Sequence, residues 1–334
     1  MTKQDRNNQF FDVDLTNANL KGRAIRGGLF TMSSQAIESL LRIGSIAILA
    51  RILIPEHFGL ISMVTAITAI AERFQDLGLS TATVQKKQIT HEEVSKLFWI
   101  NVITGLGLTV VISSASFLIA RFYHEQRLTY ITIAIATGFL WSGLTIQHTA
   151  ILRRQMKYAQ IGSVQIGSTA ISLAIAIILA VEGYGYWALV WREVLRNVFM
   201  ALGTLICCPW IPGPPWKQID TGHLLRFGRD ITGFNAIVFL TASIPQILIG
   251  KLYGPAQLGI YRQAYQLIFS MVFQVVTPVV RVVEPTLSFL QDDAERYRRY
   301  YQKTVTTVNI VMMPLILFLA IYSHEIVLVM LGEK

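Results

Sequence analysis

Charged side chains are scarce in this sequence of 334 residues: 15% are Asp, Glu, Lys or Arg, while 53% are hydrophobic. Soluble domains carry about 25% charged residues, so the deficit argues against an ordinary soluble enzyme. Cysteine is scarcer still. The two present, Cys207 and Cys208, are adjacent, a spacing that suits neither a disulfide framework nor a zinc site. The six histidines are scattered and form no ligand pair. No H-E-x-x-H run and no G-x-x-x-x-G-K-[ST] loop occurs, so the usual signatures of zinc hydrolases and P-loop ATPases are missing. No cofactor and no catalytic residue are expected. The first 26 residues contain no apolar run, so no cleaved signal peptide is expected either.

What the sequence has in excess is long apolar runs. Nine stretches of roughly 20 residues are each long enough to cross a ~30 Å hydrocarbon core as a helix. They cover 29–50, 58–79, 97–119, 131–152, 161–181, 186–207, 230–250, 264–285 and 304–323. The expected fold is an all-α polytopic membrane protein. The net charge of +9 would suggest nucleic acid in a soluble chain, but here topology accounts for it. With the N-terminus cytoplasmic, inner segments collect 18 Lys/Arg and outer loops 5. That bias is the positive-inside pattern. No nucleic-acid partner is expected.

An ungapped repeat divides the chain. Residues 50–60 read ARILIPEHFGL and residues 250–260 read GKLYGPAQLGI. Pro55 aligns with Pro255, Gly59 with Gly259 and Leu60 with Ile260, and both copies follow an odd-numbered span. Two parallel bundles related by an axis along the membrane normal are therefore expected, around a central cavity. The division is a cytoplasmic tail at 1–28, a six-helix bundle at 29–207, a linker at 208–229 and a second bundle at 230–334. Pro209, Pro212, Pro214 and Pro215 keep the linker from being helical, and Trp210 and Trp216 suit a membrane interface. The second bundle holds three full spans and the start of a tenth at Ile326–Leu331, so it is expected to be incomplete, a truncated product or fragment.

Ionisable groups at membrane depth are costly and usually face an interior cavity. In span one, Ser34, Glu38, Arg42 and Ser45 form one helical stripe. In span eight the stripe is Gln266, Ser270, Gln274, Thr277, Arg281 and Glu284. Span six places Arg192 and Arg196 one turn apart, with Glu193 beside them. Ser and Thr members of such stripes are expected to act as helix–helix contacts. Arg42, Arg192 and Arg196, well inside their spans, point to a cationic cavity, with Arg281 a weaker member. Glu38, Gln266, Ser270 and Gln274 complete the candidate substrate-binding set. Arg pairs with phosphate through bidentate hydrogen bonds, so an anionic amphiphile is the expected substrate.

Several runs carry a family resemblance. LARILIPEHFGLISMVTAI, ERFQDLGLSTATVQKKQIT and LFWINV are followed in order by ILRRQMKYAQIG, GYGYWALV, LRFGRDITG, LIGKLYGPAQLGIYRQAYQL, VVEPTLSFLQDD and LGEK. Colinear over about residues 24–334, the chain resembles the Wzx-type polysaccharide exporters. These belong to the multidrug/oligosaccharidyl-lipid/polysaccharide exporter superfamily. The resemblance implies a flippase, not an enzyme, that moves undecaprenyl-diphosphate-linked repeat units across the bacterial inner membrane. It also implies lipid-linked oligosaccharide and membrane lipids as partners, with a polymerase and other assembly proteins nearby. The family often carries an Asp in span seven, where this chain reads Ser243-Ile244-Pro245-Gln246. Two alternatives remain at this level: an ion-coupled multidrug antiporter of the same superfamily, and a membrane-embedded glycosyltransferase or polymerase. Cationic drug substrates fit poorly with several Arg, and the outer loops are too short for a catalytic domain.

Overall fold

The computed structural model describes residues 17–76, 78–86, 89–214, 243–269, isolated positions from 272 to 287, and residues 290, 291 and 293–331. Side chains are described from Phe30 onward, Met32, Arg73 and Leu331 excepted. Among the described residues the regular structure is all helix. The helices are α1 (Asn17–Ile52), α2 (Pro55–Asp76), α3 (Leu79–Gln85), α4 (His91–Tyr123), α5 (Leu128–Arg154), α6 (Tyr158–Val181) and α7 (Tyr186–Cys207). Then follow α8 (243–269), α9 (Ala294–Ile321) and α10 (Ser323–Leu331).

Four helices, α4, α5, α6 and α9, are long and apolar enough to cross a membrane. The helices α1, α2 and α7 are also long, at 36, 22 and 22 residues. They carry the charges: Glu38 and Arg42 on α1, Glu72 and Asp76 on α2, and Arg192, Glu193 and Arg196 on α7. Their length is that of a span, and their composition is that of helices shielded by neighbours. The packing shows this shielding: α7 lies against α2, α5 and α6, and α6 against α1.

Small residues set the closest approach. A Cβ on Gly105 of α4 would lie 2.5 Å from the Phe139 carbonyl oxygen, and one on Gly143 of α5 would lie 2.8 Å from that of Asn101. Two backbones can approach so closely only without side chains between them. Beside this crossing runs a buried polar relay. Thr83 Oγ1 donates to Gln147 Oε1 (2.8 Å), Gln147 Nε2 to Asn101 Oδ1 (2.8 Å), Asn101 Nδ2 to the Gln75 carbonyl (3.2 Å), and Gln75 Nε2 to the Phe139 carbonyl. Unpaired amides would be expensive here. In sequence they read as isolated polar positions; in the fold they join α2, α3, α4 and α5.

The two ends of the bundle are separately tied. At one end, Arg127 Nη2 meets Glu56 Oε1 at 2.5 Å and Arg127 Nε meets Glu125 Oε1 at 2.8 Å. Lys251 Nζ donates to the Phe122 carbonyl at this end. At the other, Lys86 meets Glu93 at 2.6 Å, and Arg154 Nη1 donates to the Lys86 carbonyl at 2.6 Å. Glu93 and Thr90 form a reciprocal cap on α4. Asp76, expected to snorkel near the surface, instead caps α3: its Oδ1 accepts from Ser80 N at 2.9 Å.

Residues 208–214 fold back onto this second end. Trp210 is 2% exposed, so it does not sit in the membrane interface as expected. Its Nε1 donates to His91 Nδ1 at 3.0 Å, and its carbonyl lies 3.1 Å from His148 Nε2. Trp99 Nε1 donates to the Gly213 carbonyl at 2.9 Å. Pairing for the indole and the backbone outweighs what interfacial solvation of Trp offers. The rest of the expected linker, 215–229, lies outside the described residues.

The repeat meets itself. Pro55 opens α2, and Gly254, with φ +81°, precedes Pro255. A Cβ on Gly59 would overlap the Pro255 carbonyl, and one on Gly259 would overlap the Pro55 carbonyl. Each copy of the motif is thus seated on the other through equivalent atoms.

Candidate functional site

The candidate site is where α1, α7 and α8 bring their charged residues together. α7 begins after Gly185, whose φ is +58°, a backbone conformation open to glycine at little cost. From there Arg192 and Arg196 follow at helical spacing. Arg196 Nη2 meets Glu193 Oε1 at 3.3 Å. Arg192 Nη1 lies 3.4 Å from Ser45 Oγ on α1, and Ser45 Oγ itself donates to the Arg42 carbonyl at 2.7 Å. Arg42 Nη2 stands 3.8 Å from Glu38 Oε1 one turn earlier. The two helices therefore share one electrostatic neighbourhood: Arg192 feels Arg42, and Arg196 feels Glu38 and Glu72.

A fourth cation joins them from α8. Arg262 Nη1 donates to Gln246 Oε1 at 2.5 Å, and its charge acts on Glu193 and Arg192. The sequence reading had placed Arg262 in an outer loop of about a dozen residues. The structure corrects this: the chain reverses at Gly254 and is helical again at once, so Arg262 lies two turns inside α8. A signal was present. Arg262 stands one turn before Gln266, and so extends the polar stripe already recognised from that residue onward.

The other expected members divide clearly. Glu38, Arg42, Arg192 and Arg196 are gathered in one place. Gln266 is half-buried on α8. Ser270, Gln274 and Arg281 lie outside the described residues. The small hydroxyls act as helix contacts: Ser34 packs against Gly162 of α6, and Ser168 and Ser172 donate to carbonyls within α6. The second bundle also borders a cavity of about 710 Å³ lined by Val276, Val283, Tyr301, Val305 and Asn309. That cavity holds none of the four Arg residues. Among the described residues no group of three His, Cys, Asp or Glu is placed to hold a metal ion.

In chemical terms the site has four guanidinium groups and three nearby carboxylates, Glu38, Glu72 and Glu193. The surplus is positive. In surroundings poor in water such a field acts strongly on an anion, and the forked donors of Arg match a phosphate.

Residues 48–334 match the family of polysaccharide biosynthesis proteins. The chain belongs to that family. It is 24% identical over 321 residues to the lipopolysaccharide biosynthesis protein WzxC of Escherichia coli, covering 94% of this chain and 64% of that protein. It is 26% identical over 272 residues to the teichuronic acid biosynthesis protein TuaB of Bacillus subtilis, covering 80% and 56%. With the succinoglycan biosynthesis transport protein ExoT of Rhizobium meliloti it shares 23% over 298 residues, covering 88% and 60%. The chain thus spans less than two thirds of the length of these relatives. No solved structure matches it. Family membership and four membrane-length helices make it a multi-pass membrane protein.

Proposed function

We propose that this protein is an exporter, not an enzyme, and that it moves lipid-linked oligosaccharide repeat units across the bacterial inner membrane for surface polysaccharide assembly. The observation that carries this reading is the gathering of Arg42, Arg192 and Arg196 at membrane depth, with their charge only partly offset by glutamate. The relatives' names, which speak of lipopolysaccharide biosynthesis and succinoglycan transport, supply the substrate class. The diphosphate meets the arginines, the sugars meet the polar stripe from Gln266 through Ser270 and Gln274 toward Arg281, and the prenyl tail stays in lipid between bundles. Glu38 is paired with Arg42, which weighs against a drug antiporter using it as a lone ion site.

In this reading the N-terminus and the Lys86 end are cytoplasmic and the Arg127 end is outside. Residues 29–207 form one bundle of six spans, and 230–334 contribute three spans and part of a fourth to a second. The reciprocal contact of Gly59 and Gly259 supports a parallel repeat. Polymerase and other assembly proteins are the expected neighbours.

The test is a flip assay in proteoliposomes that carry a fluorescent undecaprenyl-diphosphate oligosaccharide. The protein is expected to expose the inner-leaflet label to an external quencher faster than empty vesicles do. Equal rates with and without protein would refute export.

A further inference from the structure

An arginine in a membrane interior is governed by its partner, and the four arginines differ in that respect. Arg42 and Arg196 each have a carboxylate on their own helix, Glu38 at 3.8 Å and Glu193 at 3.3 Å. Arg192 and Arg262 do not. Arg192 touches the Ser45 hydroxyl, and Arg262 touches the amide oxygen of Gln246. An amide accepts a hydrogen bond and fixes the guanidinium plane without cancelling its charge. The carboxylate nearest to both, Glu193, is already paired with Arg196.

Placement strengthens the point. Gln246 and Arg262 stand eight residues before and after Gly254, at which the chain reverses. Each is therefore about 12 Å along its arm of the hairpin, at 1.5 Å per residue. Arg192 is seven residues past Gly185, where α7 begins, or about 10 Å from the same end. Two undercompensated guanidinium groups thus lie at one depth, one from each half of the chain.

We infer that Arg262, oriented by Gln246, and Arg192 form the two sides of an anion site for the phosphate end of a prenyl diphosphate, and that the neutrality of residue 246 keeps Arg262 free to bind it. This rests on the exporter reading and adds to it a residue pair that sets ligand charge preference. A carboxylate at position 246 would take the place of the ligand.

The test uses the full chain in nanodiscs, with binding followed by the fluorescence of its tryptophans, of which Trp191 adjoins Arg192. The probes are farnesyl diphosphate, farnesol and inorganic diphosphate. The parent is expected to bind farnesyl diphosphate at least tenfold more tightly than either of the other two. R262Q and Q246E should each weaken that binding about tenfold, R192Q similarly, and R262K less, since charge remains but the fork is lost. Q246E is the decisive variant. It gives Arg262 a stronger partner, so a purely structural role would be preserved or improved by it, whereas a binding role is lost. Parental affinity in R262Q and Q246E, with binding lost in R192Q and R196Q, would overturn the inference and leave the exporter reading standing. Equal affinity of the parent for inorganic and farnesyl diphosphate would overturn the lipid assignment. No preference for farnesyl diphosphate over farnesol would overturn both the site and the reading it rests on.

Discussion

Arg196 and Glu193 are best judged as a pair. Removing one member of a buried ion pair leaves the other uncompensated, at a cost of about 3–5 kcal/mol when both are fully buried. Here the side chains are 39% and 27% exposed, so the cost is smaller but of the same sign. Arg196→Ala is therefore expected to lower both the amount of folded protein and the flip rate. Arg196→Ala combined with Glu193→Gln should restore the amount, read on immunoblots of membranes, but not the flip rate. Recovery of both would make the arginine structural. Cys208 offers a separate check. It is almost fully buried beside Trp210, and burial pushes its thiol up to about 11. The reactive thiolate forms only as pH rises toward that value. At pH 7.5 maleimide should therefore modify Cys207 well before Cys208, a difference visible by peptide mass spectrometry; equal rates would mean the loop 208–214 is not seated as described.

At the scale of elements, the α4/α5 crossing is held open to backbone contact by Gly105 and Gly143. Adding a side chain must spread the helices, and overpacking of this kind costs about 1–3 kcal/mol. Gly143→Leu is expected to lower the melting temperature in detergent by several degrees; an unchanged melt would mean that the helices are not in contact there. The elements themselves were largely legible beforehand. The apolar runs at 97–119, 131–152 and 161–181 fall inside α4, α5 and α6, because twenty apolar residues in succession have few alternatives to a spanning helix. Legibility failed where one residue decides. Gly254 compresses an expected outer loop into a single reversal and so moves Arg262 into the helix and the site. Trp210 and Asp76 were judged by residue type, yet each is fixed by a partner distant or local, His91 in one case and Ser80 in the other. Hydropathy reports depth, but partners are set by tertiary packing, which a single sequence does not display.

For the whole molecule, the alternation of helices puts Gln126 and Gln85 at opposite ends, and both are exposed. Tyr123, at the same end as Gln126, is buried and would be a poor probe. With the Lys86 end cytoplasmic, Gln126→Cys should react with an impermeant maleimide in intact spheroplasts and Gln85→Cys only after lysis. The reverse pattern would invert the topology. Arg192 and Arg196 were legible as a cationic site from the sequence because they share one helix. Their meeting with Arg42 and Arg262 was not, since it depends on how α1 and α8 stack against α7.

The reciprocal seating of Gly59 on Pro255 and of Gly259 on Pro55 has a consequence for how this chain can change over generations. Two halves that arose separately would be free to drift apart residue by residue. Two halves that lock through each other's equivalent atoms cannot. A methyl group added at either glycine strikes the opposite half's backbone, which has no rotamer with which to yield. Gly59→Ala and Gly259→Ala should therefore be near-copies of one another in flip rate and melting temperature. The double variant should cost less than their sum, because the first wedge already opens the gap that the second would force. Strictly additive losses would mean that the two contacts are independent. On the coupled view, the motif is inherited as one joint written twice, and neither copy can be edited alone.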